Sequence, residues 1–324
     1  MPKAPKTPKR PAPLDLGQLT RYSLADRRSK VARDAFAKVL PAGGSFRSFF
    51  DRLPRLLAAD ALHHLVEAIV QARRGNKPVL ALLGAHTLKV GLSPLLVDWI
   101  EQRVITGVAM TGSGIIHDFE LAFQGKTSEE VAEALADGSF GMARETADLL
   151  NEAIQAGAKE GIGIGAAVGR MIEKKKLRFR SLSVFAAAHR AGIPATVHVA
   201  VGADIIHQHA SADGAAIGQA SLDDFHRFAR SVSELGPGGV VLNIGSAVVL
   251  PEVFLKAVSI GRNLGHPVRG FTAANLDMIQ HYRPSQNILK RPTALGGRAL
   301  AITGHHEILV PLIHAAVAER LRKG

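Results

Sequence analysis

The sequence predicts a doubly wound, mostly parallel α/β sheet with helical insertions. Three observations carry this expectation. Short continuous apolar runs, such as residues 78–85 and 238–245, recur along the chain, the pattern of strands buried on both faces. Between them lie stretches with apolar residues three and four apart, the pattern of covering helices. Small-residue turns directly follow three of the runs, at Gly84-Ala85-His86, Gly112-Ser113-Gly114 and Gly245-Ser246.

Taken in order, Phe50, Leu53, Leu57, Ala61, Leu65 and Ile69 give helical spacing from Phe46 to a Gly75/Pro78 stop. A buried strand is expected over 78–85, a helix over 93–103, a second strand over 105–111 and a helix from Gly112 to about Phe123. Ser128 stands before Glu129 and Glu130 as the cap of another helix. Residues 141–157, 166–175 and 182–191 read as helices. A strand is expected over 195–201, a helix over 222–235 and a strand over 238–245. A helix over 250–263, strands over 268–272 and 299–303 and a helix over 307–322 complete the chain. Strands about 30 residues apart with helices between them imply parallel β–α–β units.

Composition narrows the function. The 324 residues are 47% apolar, which supplies a large core and excludes a wholly disordered chain. No apolar run approaches the roughly 20 residues of a membrane span. The N-terminus has no apolar leader core, so a cytoplasmic protein is expected. With no cysteine, thiol catalysis, disulfides and cysteine-ligated metals are excluded. The net charge of +12 favours anionic partners. Part of it lies in residues 1–13, which read as a disordered, basic, Pro-rich arm ahead of one domain over 14–324. With aromatics at 5%, few rings are available to stack bases, which argues against nucleic-acid binding.

The candidate chemistry lies at the strand tips. In a parallel sheet these bind ligands, and small residues there let backbone amides approach a phosphate. Thr111, Gly112, Ser113 and Gly114 form one such bend. Gly84, His86 and Lys89 form another, and Gly245 and Ser246 a third. Together they suggest a dinucleotide crossing the sheet edge. The run Gly161-x-Gly163-x-Gly165 follows a helix rather than a strand, so it reads as a loop and not as a dinucleotide fingerprint. Fourteen histidines are present. Among them Asp204, His207 and His209 cluster, His117 adjoins Asp118, and His305 and His306 precede Glu307. No HExxH, GxSxG or Walker A pattern occurs, and no metal site is expected.

In order, these landmarks resemble the deoxyhypusine synthase family, in its divergent bacterial branch, from about residue 45 to the C-terminus. Met110-Thr111-Gly112-Ser113-Gly114-Ile115-Ile116-His117-Asp118 resembles the family's Thr-Thr-Ala-Gly-Gly-Val-Glu-Glu-Asp. Gly202-Ala203-Asp204 resembles its Gly-Asp strand end, and Gly245-Ser246 falls at its triple-glycine turn. Phe271-Thr272-Ala273, followed by Asp277, resembles its Asn-Thr-Ala and acid. Gly304-His305 resembles its late cofactor turn. The resemblance implies a Rossmann-like, NAD-binding homotetramer that passes an aminobutyl group from the polyamine spermidine to a lysine of an acceptor protein. It implies NAD contacts from Gly84, His86, Lys89, Thr111, Gly112, Ser113, Gly114, Gly245, Ser246, Thr272, Ala273 and His305. Asp204 and Asp277 would hold the amine, Lys290 would be the nucleophile, and His117 or His207 the proton carrier. The chain departs from the family where the catalytic histidine belongs: Val249-Leu250-Pro251-Glu252 contains none. Two alternatives stand beside the transfer: a related NAD-dependent enzyme that oxidises or alkylates amines without making hypusine, and a non-catalytic ligand-binding homologue with a basic docking arm.

Overall fold

The computed structural model describes residues 11–322. The arm expected over 1–13 lies almost wholly outside the described residues. Six parallel strands form one sheet: β1 (Val79–Leu83), β2 (Gly107–Thr111), β3 (Ala195–His198), β4 (Val240–Ile244), β5 (Thr272–Asp277) and β6 (Arg298–Thr303). Their order across the sheet is β3-β2-β1-β4-β5-β6. The chain winds one way from β1 through β3, then returns to the other side of β1. This makes β1 and β4 neighbours at a switch point, where connections leave in opposite directions and open a crevice at the carboxyl ends. The fold is a Rossmann-like α/β fold.

The strands are buried on both faces, as continuous apolar runs require. Leu80, Leu82, Val241 and Ala273 face one helical layer. It is built from helices Gly214–Ser233 and Val249–Asn263 and the helical segment 282–293, with Phe228, Phe254 and Ile288 as its anchors. Ala81, Leu83, Val240, Leu242 and Ile244 face the opposite layer. That layer includes the helices Leu57–Arg74, Ser93–Glu101, Gly112–Gln124, Ile164–Lys174, Val184–Ala191 and His306–Leu321. Fully burying each large side chain stabilises by about 1.5–3 kcal/mol. Among the described residues no helix is long and apolar enough to cross a membrane.

Several expected elements are redrawn. The helix expected from Phe46 to Arg74 is two, Phe46–Asp51 and Leu57–Arg74, because Pro54 lacks the N–H that would continue the first. Ser128 does not cap its helix. It takes a left-handed φ of 73°, and helix Val131–Asp137 starts after Glu130. Gly165, expected in a loop, lies inside helix Ile164–Lys174, which starts two residues before the expected 166. The strand expected over 268–272 is displaced to Thr272–Asp277. Its Thr-Ala-Ala-Asn-Leu-Asp lacks the bulky run that marks the other strands. The helical segment 282–293 had no expected counterpart.

Residues 11–32 lie exposed, with short turns Leu16–Gln18 and Leu24–Asp26 closed by the side chains of Asp15 and Ser23. The chain joins the body where Lys38 N–H donates to the Arg52 carbonyl and Arg55 N–H to that of Ala35.

Candidate functional site

Two strand-end bends, at Gly84 and Gly245, meet at the switch point. Gly84 N–H donates to Ile244 O at 2.8 Å and Gly245 N–H to Leu276 O at 3.1 Å, so the sheet ladder runs into the bends themselves. A Cβ on Gly84 would overlap the Gly245 carbonyl. Only glycine permits this approach, and it keeps the centre of the crevice free of side chains. The imidazole of His306 lies over Gly245, its Cε1 2.8 Å from where a Cβ would stand. The His86 ring meets it edge-on at 5.8 Å between centroids.

His306 is fixed chemically as well as sterically. Its Nε2 donates to Leu276 O at 3.2 Å, which leaves Nδ1 a bare acceptor, buried and without a partner. Asp277 ends β5 beside it, with Oδ1 4.0 Å from His306 Nε2 and accepting from Met278 N–H at 2.8 Å. Beneath them a chain of amides crosses the strands. Asn243 Nδ2 donates to Asn275 Oδ1 at 2.6 Å, and Asn275 Nδ2 to Gln280 Oε1 at 2.8 Å.

On the other flank, Asp204 reaches back to the N-terminus of helix Gly112–Gln124. Its carboxylate packs where a Cβ of Gly112 would lie and accepts from Ser113 N–H. Burial pushes this carboxyl up to about 6, although the backbone donor pulls it down. Its Oδ2 has no partner. His207 Nδ1 accepts from Gly202 N–H at 3.2 Å, so its Nε2 carries the proton; Nε2 is also without a partner, 4.0 Å from Asp204 Oδ2. A group standing beside both must donate to one and accept from the other, as a hydroxyl does. Thr111 and Ser113 hydroxyls pair at 2.9 Å at the same strand end.

The structure therefore gathers Gly84, His86, Thr111, Gly112, Ser113, Asp204, His207, Gly245, Ser246 and Asp277 at the carboxyl ends. Other expected residues lie elsewhere. Thr272 and Ala273 open β5, at the amino ends, five residues and about 16 Å from Asp277 at ~3.3 Å per residue. They line no surface shared with the glycine bends. His305 is exposed beside Glu307, and it is His306 that enters the crevice. Gly114 packs on the Met110 side chain inside the helix and meets no ligand space. The anion position expected at Gly112 and Ser113 is taken by the Asp204 carboxylate. Asp204, seated at the end of β2, and Asp277, at the end of β5, lie three strands apart, about 14 Å. Lys290 is exposed on segment 282–293. This segment descends from Asn287, bonded to Glu252 in the first turn of helix Val249–Asn263, to Pro292, bonded to Arg262 in that helix's last turn. That descent carries Lys290 away from the carboxyl ends.

Sequence reading missed His306, although the signal was there. His306, Leu309, Val310 and Ile313 fall on one helical stripe, which puts His306 on the buried face and His305 off it. It also missed the buried pairing of Asn243 with Asn275.

A groove of about 850 Å³ opens elsewhere, along helices 164–174, 184–191 and 214–233 and the start of β3. Arg227 and Arg230 face Asp223 and Glu234 there, without any strand-end glycine. No group of three or more metal-ligating side chains gathers among the described residues.

The chain matches no family model and no curated protein sequence. Solved structures share its fold. A candidate deoxyhypusine synthase from Entamoeba histolytica aligns with a TM-score of 0.51 and 12% identity, over 85% of this chain and 93% of that one. A LOR/SDH-type protein from Methanococcus maripaludis S2 aligns at 0.50 and 14%, over 87% and 72%. AgrE, solved in a ternary complex with ornithine and NAD+, aligns at 0.52 and 11%, over 84% of this chain and 35% of that one. This chain spans about a third of the length of the ArgZ and AgrE chains it matches, 32% in two of them. At these identities the likeness shows a common fold.

Proposed function

We propose that this chain is an NAD-dependent enzyme that oxidises a small amine at the β1/β4 switch point. The observation that carries the reading is the set of buried, unpartnered polar atoms at the carboxyl ends: Asp204 Oδ2, His207 Nε2 and His306 Nδ1 flank the bare Gly84–Gly245 contact. Buried polar atoms without partners are rare and costly, and a ligand satisfies them. The donor set fits a dinucleotide. The glycine bends and Ser246 would take the pyrophosphate, and Asp204 with His207 would take a ribose hydroxyl. NAD would supply a hydride acceptor.

The amine belongs on the Asp277 side. Asp277 attracts it as an ammonium, and His306 Nδ1, the bare acceptor beside it, takes the proton that must leave nitrogen before the adjacent C–H bond can give up hydride. The distance of Lys290 from this corner favours oxidation over aminobutyl transfer to an enzyme lysine. Borohydride trapping with spermidine and NAD, followed by peptide mapping, separates the two. A label on Lys290 establishes the transfer; turnover with no labelled lysine establishes the oxidation.

A further inference from the structure

Helix Gly112–Gln124 carries a second polar assembly, on the side of the short helix His86–Lys89. His117 Nδ1 lies 2.7 Å from the Thr127 hydroxyl oxygen. That hydroxyl donates its only proton to Glu120 Oε2 at 2.6 Å. Thr127 can therefore only accept from His117, and Nδ1 must carry the ring proton. Glu120 is held in turn by the Thr146 hydroxyl, 3.3 Å from Oε1. Donation thus converges on the Glu120 carboxylate, from His117 through Thr127 on one side and from Thr146 on the other. Burial, together with the positive charge of Lys89 on the facing helix, pushes His117 down to about 4, so the ring is neutral at pH 7. Its Nε2 makes no hydrogen bond within the protein and is not among the buried unpartnered atoms, so it is accessible.

We propose that Thr127 and Glu120 are positioning residues that lock His117 as its Nδ1–H tautomer and so present a bare Nε2 acceptor to a ligand N–H or O–H. The ligand half of this statement rests on the reading above. The tautomer half does not, and the test reads the ligand-free chain. A bond from Thr127 to His117 that served only to tie residues 125–130 to the helix would work with either tautomer if Thr127 turned its proton around. The Glu120 carboxylate prevents that.

The test is a long-range 1H–15N spectrum of the full chain at pH 7, with His117 assigned by its loss in His117→Asn. The wild type shows a protonated Nδ1 and a bare Nε2. Thr127→Ser keeps this pattern. Thr127→Val shifts His117 towards Nε2–H, the form that free histidine prefers. Carbethoxylation by diethyl pyrocarbonate, which needs a bare ring nitrogen exposed at Nε2, slows at His117 by several-fold in Thr127→Val and not in Thr127→Ser. A protonated Nε2 in the wild type overturns the proposal. So does a Thr127→Val spectrum and modification rate equal to those of wild type. The wild-type spectrum alone decides if Thr127→Val does not fold.

Discussion

At the residue scale, Asp204 has two roles that oppose each other. Burial raises its carboxyl from 3.8 to about 6, so the folded chain holds this proton more tightly than the unfolded chain. Its contribution to stability is then largest below pH 4, declines as pH rises to about 6 and is gone above that. Asp204→Asn keeps an acceptor for Ser113 N–H and removes the buried charge. The variant should be more stable than the parent at pH 7.5 by about 1–3 kcal/mol, with the gap closing at pH 4; denaturant melts at both pH values measure it. The same variant should lose at least tenfold in NAD affinity by calorimetry. A residue that costs stability and supplies binding is one retained for its ligand. Unchanged stability and unchanged affinity would contradict both roles. Asp204 was legible as a candidate from the Gly-Ala-Asp ending, but its seat on Gly112 was not. That contact joins residues 92 positions apart in the chain, and nothing in the local pattern around either encodes it.

At the element scale, Asp224 supports both the edge strand and a helix start. Its Oδ2 accepts from Ile164 and Gly165 N–H, each at 3.0 Å, and from Val197 N–H at 2.8 Å. It therefore satisfies the N-terminus of helix Ile164–Lys174 and blocks the open side of β3. Replacing it with Ala leaves three buried donors bare, and stability should fall by about 2–4 kcal/mol. Amide exchange should quicken at Val197 and in the first helical turn ahead of the rest of the sheet; uniform exchange would contradict the assignment. Gly163 and Gly165 of the glycine run serve this junction: a Cβ would meet the Asp224 carboxylate at the first and the Ala195 carbonyl at the second. The same scale explains the misplaced fifth strand. Bulky runs revealed β1, β2 and β4, but β5 is built of Ala273, Ala274 and the buried Asn275. An asparagine is legible as a strand residue only once its partner, Asn243 on β4, is known. Thr272 and Ala273 are expected at the ligand only through the resemblance to the family's Asn-Thr-Ala, and the strand they open puts them at its amino end.

At the scale of the whole molecule, the alternation of apolar runs and helical spacing was enough to read a doubly wound sheet. The strand order, and hence the switch point, came only from long-range pairing. The side chains of residues 11–32 are exposed throughout. Removing residues 1–32 should therefore leave unfolding free energy within about 0.5 kcal/mol of the full chain, the range of surface changes. A larger loss would mean that the segment packs on the body in solution.

The crevice gains its meaning from the Gly84–Gly245 contact, and one titration tests it. Calorimetry of the full chain with NAD should give saturable binding, abolished by Gly245→Val, whose side chain would stand 2.8 Å from the His306 ring and fill the bend. Binding of equal strength in that variant, or none by the parent at millimolar NAD, would contradict the account.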